Sequence, residues 1–218
     1  CKTGLLADQG GKGLFVKEIE EDLLTQKIDL AVHSLKDMPG NLPKGLELAC
    51  FPKREDPRDC FISKKFRSLD DLPPSAIVGT SSPRRRAQLL AKRPDLLAKP
   101  LRGNIETRLK KLGEGVDAIL LAVAGLRRLK LSLENYAVQN FDVEDFIPAI
   151  GQGILGIEIR AGETDLAIFL KNALNDLTAE VAGLAERALL QEVGGDCYTP
   201  LGGHAMVTGT QLHLIAWI

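Results

Sequence analysis

The chain has 218 residues, 44% hydrophobic and 26% charged, a balance that suits one large or two to three small globular domains and excludes a disordered polymer. Its formal net charge of −1 gives no overall basic field to direct it to nucleic acid or to a membrane surface. No stretch approaches the roughly 20 apolar residues that span a bilayer, so the expectation is a soluble chain.

Four cysteines, Cys1, Cys50, Cys60 and Cys197, lack metal-type spacing, and no secretory segment opens the chain. Free thiols in a reducing, cytoplasmic setting follow. The first residue is Cys1 rather than Met, and residues 213–218 stop inside an apolar run, so both ends read as truncated.

In chain order, residues 14–25 carry Phe15, Ile19, Leu23 and Leu24 at helical spacing, and the glycine-rich stretch 10–13 feeds that helix as a loop. The loop lacks the full phosphate-loop pattern, and with Lys12 and Phe15 it suits a flexible wall of a ligand cleft. Residues 28–32 form a short apolar strand that runs into a polar turn at 33–39. Residues 46–51 read as another strand, and the charged segment 53–59 as a crossover between domains. A strand at 76–79, a helix at 83–92, a strand at 99–102, a helix at 105–112 and a strand at 118–122 then alternate as in a parallel or mixed α/β sheet. A strand at 154–160 follows Gly151-Gln152-Gly153. Residues 166–190 keep helical spacing as two helices broken near 175–178, and the tail reads as a small α+β unit.

Three arginine sets follow predicted strands. The first, Gly79-Thr80-Ser81-Ser82-Pro83-Arg84-Arg85-Arg86, combines a turn, capping hydroxyls and a proline suited to the first helical position. Its N–H groups and guanidinium forks suit an anion, although a capped helix with solvated arginines accounts for these residues equally well. Arg102 with Arg108, and Arg127 with Arg128, are the second and third sets. Ligands bind at the carboxyl ends of strands in open α/β sheets, so the three sets together point to a site for a polyanion.

Lys36 and Asp37 lie at the end of the strand at 28–32. Asp37 suits either an Asx turn before Pro39 or a carboxylate that stabilises a developing cation. His33 is read as a packed residue with no proton-transfer role. Cys50 and Cys60 are expected to be buried and inert. Cys197 differs, because glycines and Pro200 surround it as in an exposed turn, which makes it the candidate for covalent attachment.

Taken together, Gly11-Lys12-Gly13-Leu14-Phe15, Ala31-Val32-His33-Ser34-Leu35-Lys36-Asp37, Arg54-Glu55-Asp56-Pro57-Arg58-Asp59, Gly79-Thr80-Ser81-Ser82, Leu101-Arg102-Gly103-Asn104, Leu121 to Leu126, Gly151-Gln152-Gly153 and the Cys197 turn resemble the porphobilinogen deaminase (hydroxymethylbilane synthase) family along almost the whole chain. The resemblance implies a transferase that joins porphobilinogen units head to tail into hydroxymethylbilane, with loss of ammonia at each addition. It implies a dipyrromethane cofactor attached through Cys197 and held by Lys36, Thr80, Ser82, Arg84, Arg85 and Arg102. Asp37 would be catalytic, contacting pyrrole N–H groups and stabilising an azafulvene-like cation, while Lys12, Phe15, Arg108, Arg128 and Gln152 would bind substrate. The fold implied is α/β, with two periplasmic-binding-protein-like α/β domains around a hinged cleft and a small C-terminal α+β domain. The first domain would comprise residues 1–52 and 153–171, the second 57–148 and the third 175–218. A monomer is expected, with no metal, nucleic-acid or membrane partner. The rival reading is a non-catalytic module of the periplasmic-binding-protein type for a small carboxylate or oxyanion, which leaves Cys197 and Asp37 unexplained.

Overall fold

Two strands, β3 (Asp59–Ser63) and β6 (Ala118–Ala122), are buried at every residue. They lie side by side within a sheet covered on both faces, which is why they read as continuous apolar runs. The computed structural model describes residues 11–194 and 199–218. Its first helix, α1 (Gly11–Leu24), precedes β1 (Leu30–Ser34), a 3-10 turn (Leu35–Asp37) and β2 (Leu46–Cys50). After β3 come β4 (Ile77–Gly79), α2 (Pro83–Lys92), β5 (Leu97–Lys99) and α3 (Ile105–Lys110). Strand β6 leads into α4 (Val123–Arg128) and β7 (Ala137–Asn140). The chain then returns to β8 (Leu155–Arg160) and continues through α5 (Thr164–Leu174), α6 (Leu177–Val193), β9 (Gly202–Thr208) and β10 (Gln211–Trp217).

The larger sheet runs β5-β4-β6-β3-β7. Strand β4 is parallel to β5 and β6, while β3 is antiparallel to β6 and β7. Phe61, Val78, Leu89, Leu120 and Phe146 fill one face, and Cys60, Ile62, Leu109, Ile119 and Leu121 fill the other. The smaller sheet, β1-β8-β2, is wholly antiparallel. Ile157 and Ile159 pack with Leu170 of α5, whereas Leu23 of α1 packs with Ala31 and Leu46. In the remaining unit, Asp176 caps α6 by accepting the Ala179 N–H at 2.8 Å, and Gly194, at φ 65°, ends it. The α6 helix lies against the β9–β10 hairpin.

Two segments without regular structure connect the sheets, residues 51–58 outward and 141–154 on the return. They touch where the Glu55 N–H donates to the Gly153 carbonyl at 2.8 Å. Gly153 has φ 85°, and a Cβ there would collide with the Glu55 carbonyl oxygen. Gly151 has φ 71° and would bring a Cβ to 2.9 Å from Leu35. Both glycines of the Gly-Gln-Gly motif are therefore fixed by backbone conformation and close approach.

Several elements differ from the sequence expectations. The strand expected at 28–32 lies at Leu30–Ser34, so His33 belongs to the ladder and not to a polar turn. Its imidazole is buried because Glu158 on β8 supplies a partner at 3.0 Å. The strand expected at 99–102 lies at Leu97–Lys99, since Leu101 turns away to exchange hydrogen bonds with the Ser81 hydroxyl at 2.9 and 3.0 Å. Gly11 and Gly13 sit in α1 and not in a loop before it. Strand β7 and helix α4 were not expected as elements, and β3 had no expected bounds.

Candidate anion site at the sheet crossing

Because β4, β5 and β6 are mutually parallel, their carboxyl ends emerge on one edge, and all three arginine sets follow those ends. Thr80 is buried; its N–H donates to the Lys99 carbonyl at 2.9 Å and its hydroxyl accepts the Ser82 N–H at 3.2 Å. The Ser82 hydroxyl caps α2 by accepting the Arg85 N–H at 3.4 Å. These two hydroxyls fix the turn from which Arg84 and Arg85 depart.

Neither arginine is a solvated fork. Arg84 is 3% and Arg85 8% exposed, and both converge on Asp59, the fully buried first residue of β3. Arg85 donates to Asp59 Oδ1 from Nε at 3.1 Å and from Nη2 at 2.7 Å, and to the Leu120 carbonyl from Nη1 at 3.2 Å. Arg84 places Nη2 2.7 Å from Asp59 Oδ2 and donates from Nη1 to the Ile147 carbonyl at 2.6 Å. Arg84 Nε, also buried, has no hydrogen-bond partner among the described residues. Burial opposes the charge on Asp59, but the guanidiniums of Arg84 and Arg85 and the Gln152 hydrogen bond outweigh it and hold the carboxyl well below its usual range.

Gln152 links this cluster to the smaller sheet. Fully buried on the return segment, it donates from Nε2 to Asp59 Oδ1 at 2.8 Å and to the Pro57 carbonyl at 2.7 Å. Its Oε1 accepts from Lys36 Nζ at 3.5 Å. Lys36 and Asp37 are half-buried in the 3-10 turn that leaves β1. The expected residues Lys36, Gln152, Arg84 and Arg85 are thus joined through a carboxylate that the site expectations did not include.

The remaining arginines are arranged differently. Arg108 is half-buried and donates from Nε to the Gly103 carbonyl at 2.8 Å. Burial, and then the nearby charge of Arg85, push its pKa down. Arg102 and Arg128 are exposed. Arg127 is engaged by Glu55 at 2.8 Å and Asp56 at 3.1 Å on the outward segment. Cys197 and the side chains of Lys12 and Phe15 lie outside the described residues.

Two further residues organise the crossing. Arg54 donates from Nε to the Gln152 carbonyl at 3.0 Å and from Nη1 to Glu186 of α6 at 2.6 Å. The sequence carried a signal for Asp59, an acidic residue directly before the apolar run Cys60-Phe61-Ile62, since a carboxylate starting a buried strand requires a partner. Glu186, within a long amphipathic pattern, gave no comparable sign.

The fold and site define an α/β protein that gathers cationic side chains at the crossing of two sheets, a suitable seat for a ligand bearing several carboxylates. A family profile for "Porphobilinogen deaminase, dipyromethane cofactor binding domain" matches residues 2–168, and one for "Porphobilinogen deaminase, C-terminal domain" matches residues 181–218. The chain belongs to the porphobilinogen deaminase family. It is 53% identical over 214 residues to a porphobilinogen deaminase of Thiobacillus denitrificans, covering 98% of this chain and 69% of that protein. Identity is also 53% to the proteins of that name from Burkholderia thailandensis, covering 96% of this chain and 63% of the relative, and Staphylococcus carnosus, covering 93% and 65%. The chain therefore spans about two thirds of the length of these relatives.

Among solved structures, an arginine-specific periplasmic binding protein of Salmonella typhimurium gives a TM-score of 0.43 at 17% identity, covering 81% of this chain and 76% of that one. An ancestral cationic amino acid solute-binding protein gives 0.45 at 17%, covering 82% and 70%. The family profiles and the relatives at 53% identity all carry the deaminase name, so the plain binding-module reading is not favoured. No described helix is long and apolar enough to cross a membrane.

Proposed function

We propose that this chain is part of a cytoplasmic, monomeric transferase that deaminates four porphobilinogen molecules and joins them head to tail into hydroxymethylbilane. The observation that carries the reading is the linked set of Lys36, Gln152, Asp59, Arg84 and Arg85, with Asp37 following Lys36 in the 3-10 turn. A set of buried cations with an Arg84 Nε that has no partner among the described residues suits a ligand rich in acetate and propionate groups, so the residues present fit a dipyrromethane. When attached at Cys197, that group supplies a nucleophilic pyrrole carbon as primer. Lys36, Thr80, Ser82, Arg84, Arg85 and Arg102 hold its carboxylates, and Arg108, Arg128, Lys12 and Phe15 receive the incoming substrate, whereas Gln152, expected to bind substrate, is fully buried with its amide engaged by Asp59, Pro57 and Lys36 and acts behind the site.

Asp37 is the catalytic residue of this reading. Its carboxylate accepts from pyrrole N–H groups and offsets the positive charge that develops on porphobilinogen as ammonia leaves. The domains comprise residues 1–52 with 153–171, residues 57–148, and residues 175–218. The first two form periplasmic-binding-protein-like halves, and the paired segments at Glu55 and Gly153 serve as the hinge. Substituting Asp37→Ala tests the assignment by porphobilinogen consumption. The reading predicts that turnover falls by at least about a hundredfold while the covalent cofactor mass persists. Near-normal turnover would remove Asp37 from the mechanism.

A further inference from the structure

Asp59 Oδ1 accepts three hydrogen bonds, two from Arg85 and one from Gln152, and Oδ2 faces Arg84 Nη2 at 2.7 Å. The backbone that carries this carboxylate is itself held on two sides. Asp59 pairs with Ala122 in the ladder, and its carbonyl accepts the Phe141 N–H at 3.0 Å. Each arginine is also held at a second point, Arg84 by the Ile147 carbonyl and Arg85 by the Leu120 carbonyl. Two contacts on a planar guanidinium fix its orientation as well as its place. The fixed fork of Arg84 leaves its buried Nε–H without a partner among the described residues, a donor held ready for an acceptor.

We propose that Asp59 is the positioning residue of the arginine cluster, and that through Gln152 it couples the orientation of Arg84 and Arg85 to Lys36 across the two connecting segments. Gln152 is suited to this coupling because its amide divides between the sheets. Nε2 bonds Asp59 and the Pro57 carbonyl, and Oε1 receives Lys36. A shift of either segment that moved Gln152 would act on the carboxylate that holds both forks. Replacing Asp59 with asparagine keeps the volume, removes the charge and sets an N–H₂ group against guanidinium or amide donors, which frees the forks to reorient.

The proposal rests on the tetrapyrrole reading for its probe. The experiment uses the full-length protein, prepared without cofactor, as wild type, Asp59→Asn, Gln152→Ala and the double variant. Two readouts are taken, the rate at which apo-protein gains covalent mass on addition of porphobilinogen, and the KM and kcat of the loaded fraction. A positioning role predicts that Asp59→Asn slows mass gain and raises KM by about tenfold or more in folded protein, corresponding to about 1.4 kcal/mol. It also predicts that Gln152→Ala raises KM by about threefold, and that the double variant is no worse than Asp59→Asn alone.

A merely structural counter-ion would lower the unfolding midpoint and leave KM and the loading rate of the folded fraction unchanged, and that result overturns the proposal. Multiplicative effects of the two substitutions overturn the coupling through Gln152. Should Asp59→Asn not fold, Gln152→Ala carries the test alone, and an unchanged KM there counts against the proposal. Failure of the wild type to gain mass sinks the tetrapyrrole reading itself and the proposal with it, a result distinct from equal gain by wild type and variant.

Discussion

Arg54 and Glu186 meet at 2.6 Å at the junction of all three packed units, with the guanidinium 13% exposed and the carboxylate fully buried. The same carboxylate accepts the Gly151 N–H at 2.6 Å and the Ala205 N–H at 2.8 Å. One side chain of α6 thus joins the outward segment, the return segment and the hairpin. Removing one member of a buried ion pair strands the other, at a cost of about 3–5 kcal/mol. Arg54→Ala should therefore lower the free energy of unfolding in urea by about that amount, and a loss under about 1 kcal/mol would contradict this role.

The glycines give a graded test. Gly153 combines φ 85° with a Cβ position that collides with the Glu55 carbonyl, whereas Gly162, at φ 89°, has open space around it. Gly162→Ala bears only the left-handed backbone penalty, about 1–2 kcal/mol. Gly153→Ala bears that and the displacement of a segment of the crossing, so it should cost at least about 1 kcal/mol more. Equal unfolding midpoints for the two variants would rule out the close approach.

Stability should respond to acid with two opposite signs. In Glu186 burial opposes the charge, but the His204 and Arg54 contacts prevail and lower the pKa; Asp59 is lowered likewise by its arginines. Lowered carboxylates contribute stability above their unfolded values of about 4, and it is lost as pH falls through the lower folded values. Glu20 is shifted the other way, raised first by burial and then by Glu158. Its ionised form is disfavoured in the fold, so its contribution is fully present below the unfolded value and lost as pH rises through the folded one. Glu20→Gln should therefore raise the urea midpoint at pH 7 and lose that advantage toward pH 4. A lower midpoint at pH 7 would show that the charged form of Glu20 is stabilising.

The two described thiols should be inert in the native protein. Burial and the neighbouring Asp59 charge push Cys60 up to about 12, and burial also raises Cys50. Mass mapping after iodoacetamide treatment should find both unmodified until the chain is unfolded in denaturant. Rapid native alkylation of Cys60 would mean that the β3–β6 core opens readily.

Much of this architecture was legible because local chemistry decided it. Ser82-Pro83 marked the start of α2, the break near 175–178 separated α5 from α6, and the apolar run 118–122 marked a central strand. Strand β3 was obscured because its buried Asp59 and Ser63 look polar in isolation, and only distant partners make their burial tolerable. Arg85, Gln152 and the Asp117 carbonyl, which accepts from the Ser63 hydroxyl at 2.7 Å, are those partners. The cationic residues of the site could be found from their places after strands. That Arg84 and Arg85 are buried, and share a counter-ion with Gln152, depends on contacts across 26 to 93 residues of sequence and has no local signal.

In the proposed reaction the full-length protein builds a linear tetrapyrrole on a primer bound to Cys197. Intact mass of the purified protein, measured beside Cys197→Ser, tests it most directly. The wild type should carry an added mass equal to one dipyrromethane and the variant none. An unmodified wild-type mass after expression with abundant porphobilinogen, or the same added mass in Cys197→Ser, would contradict it.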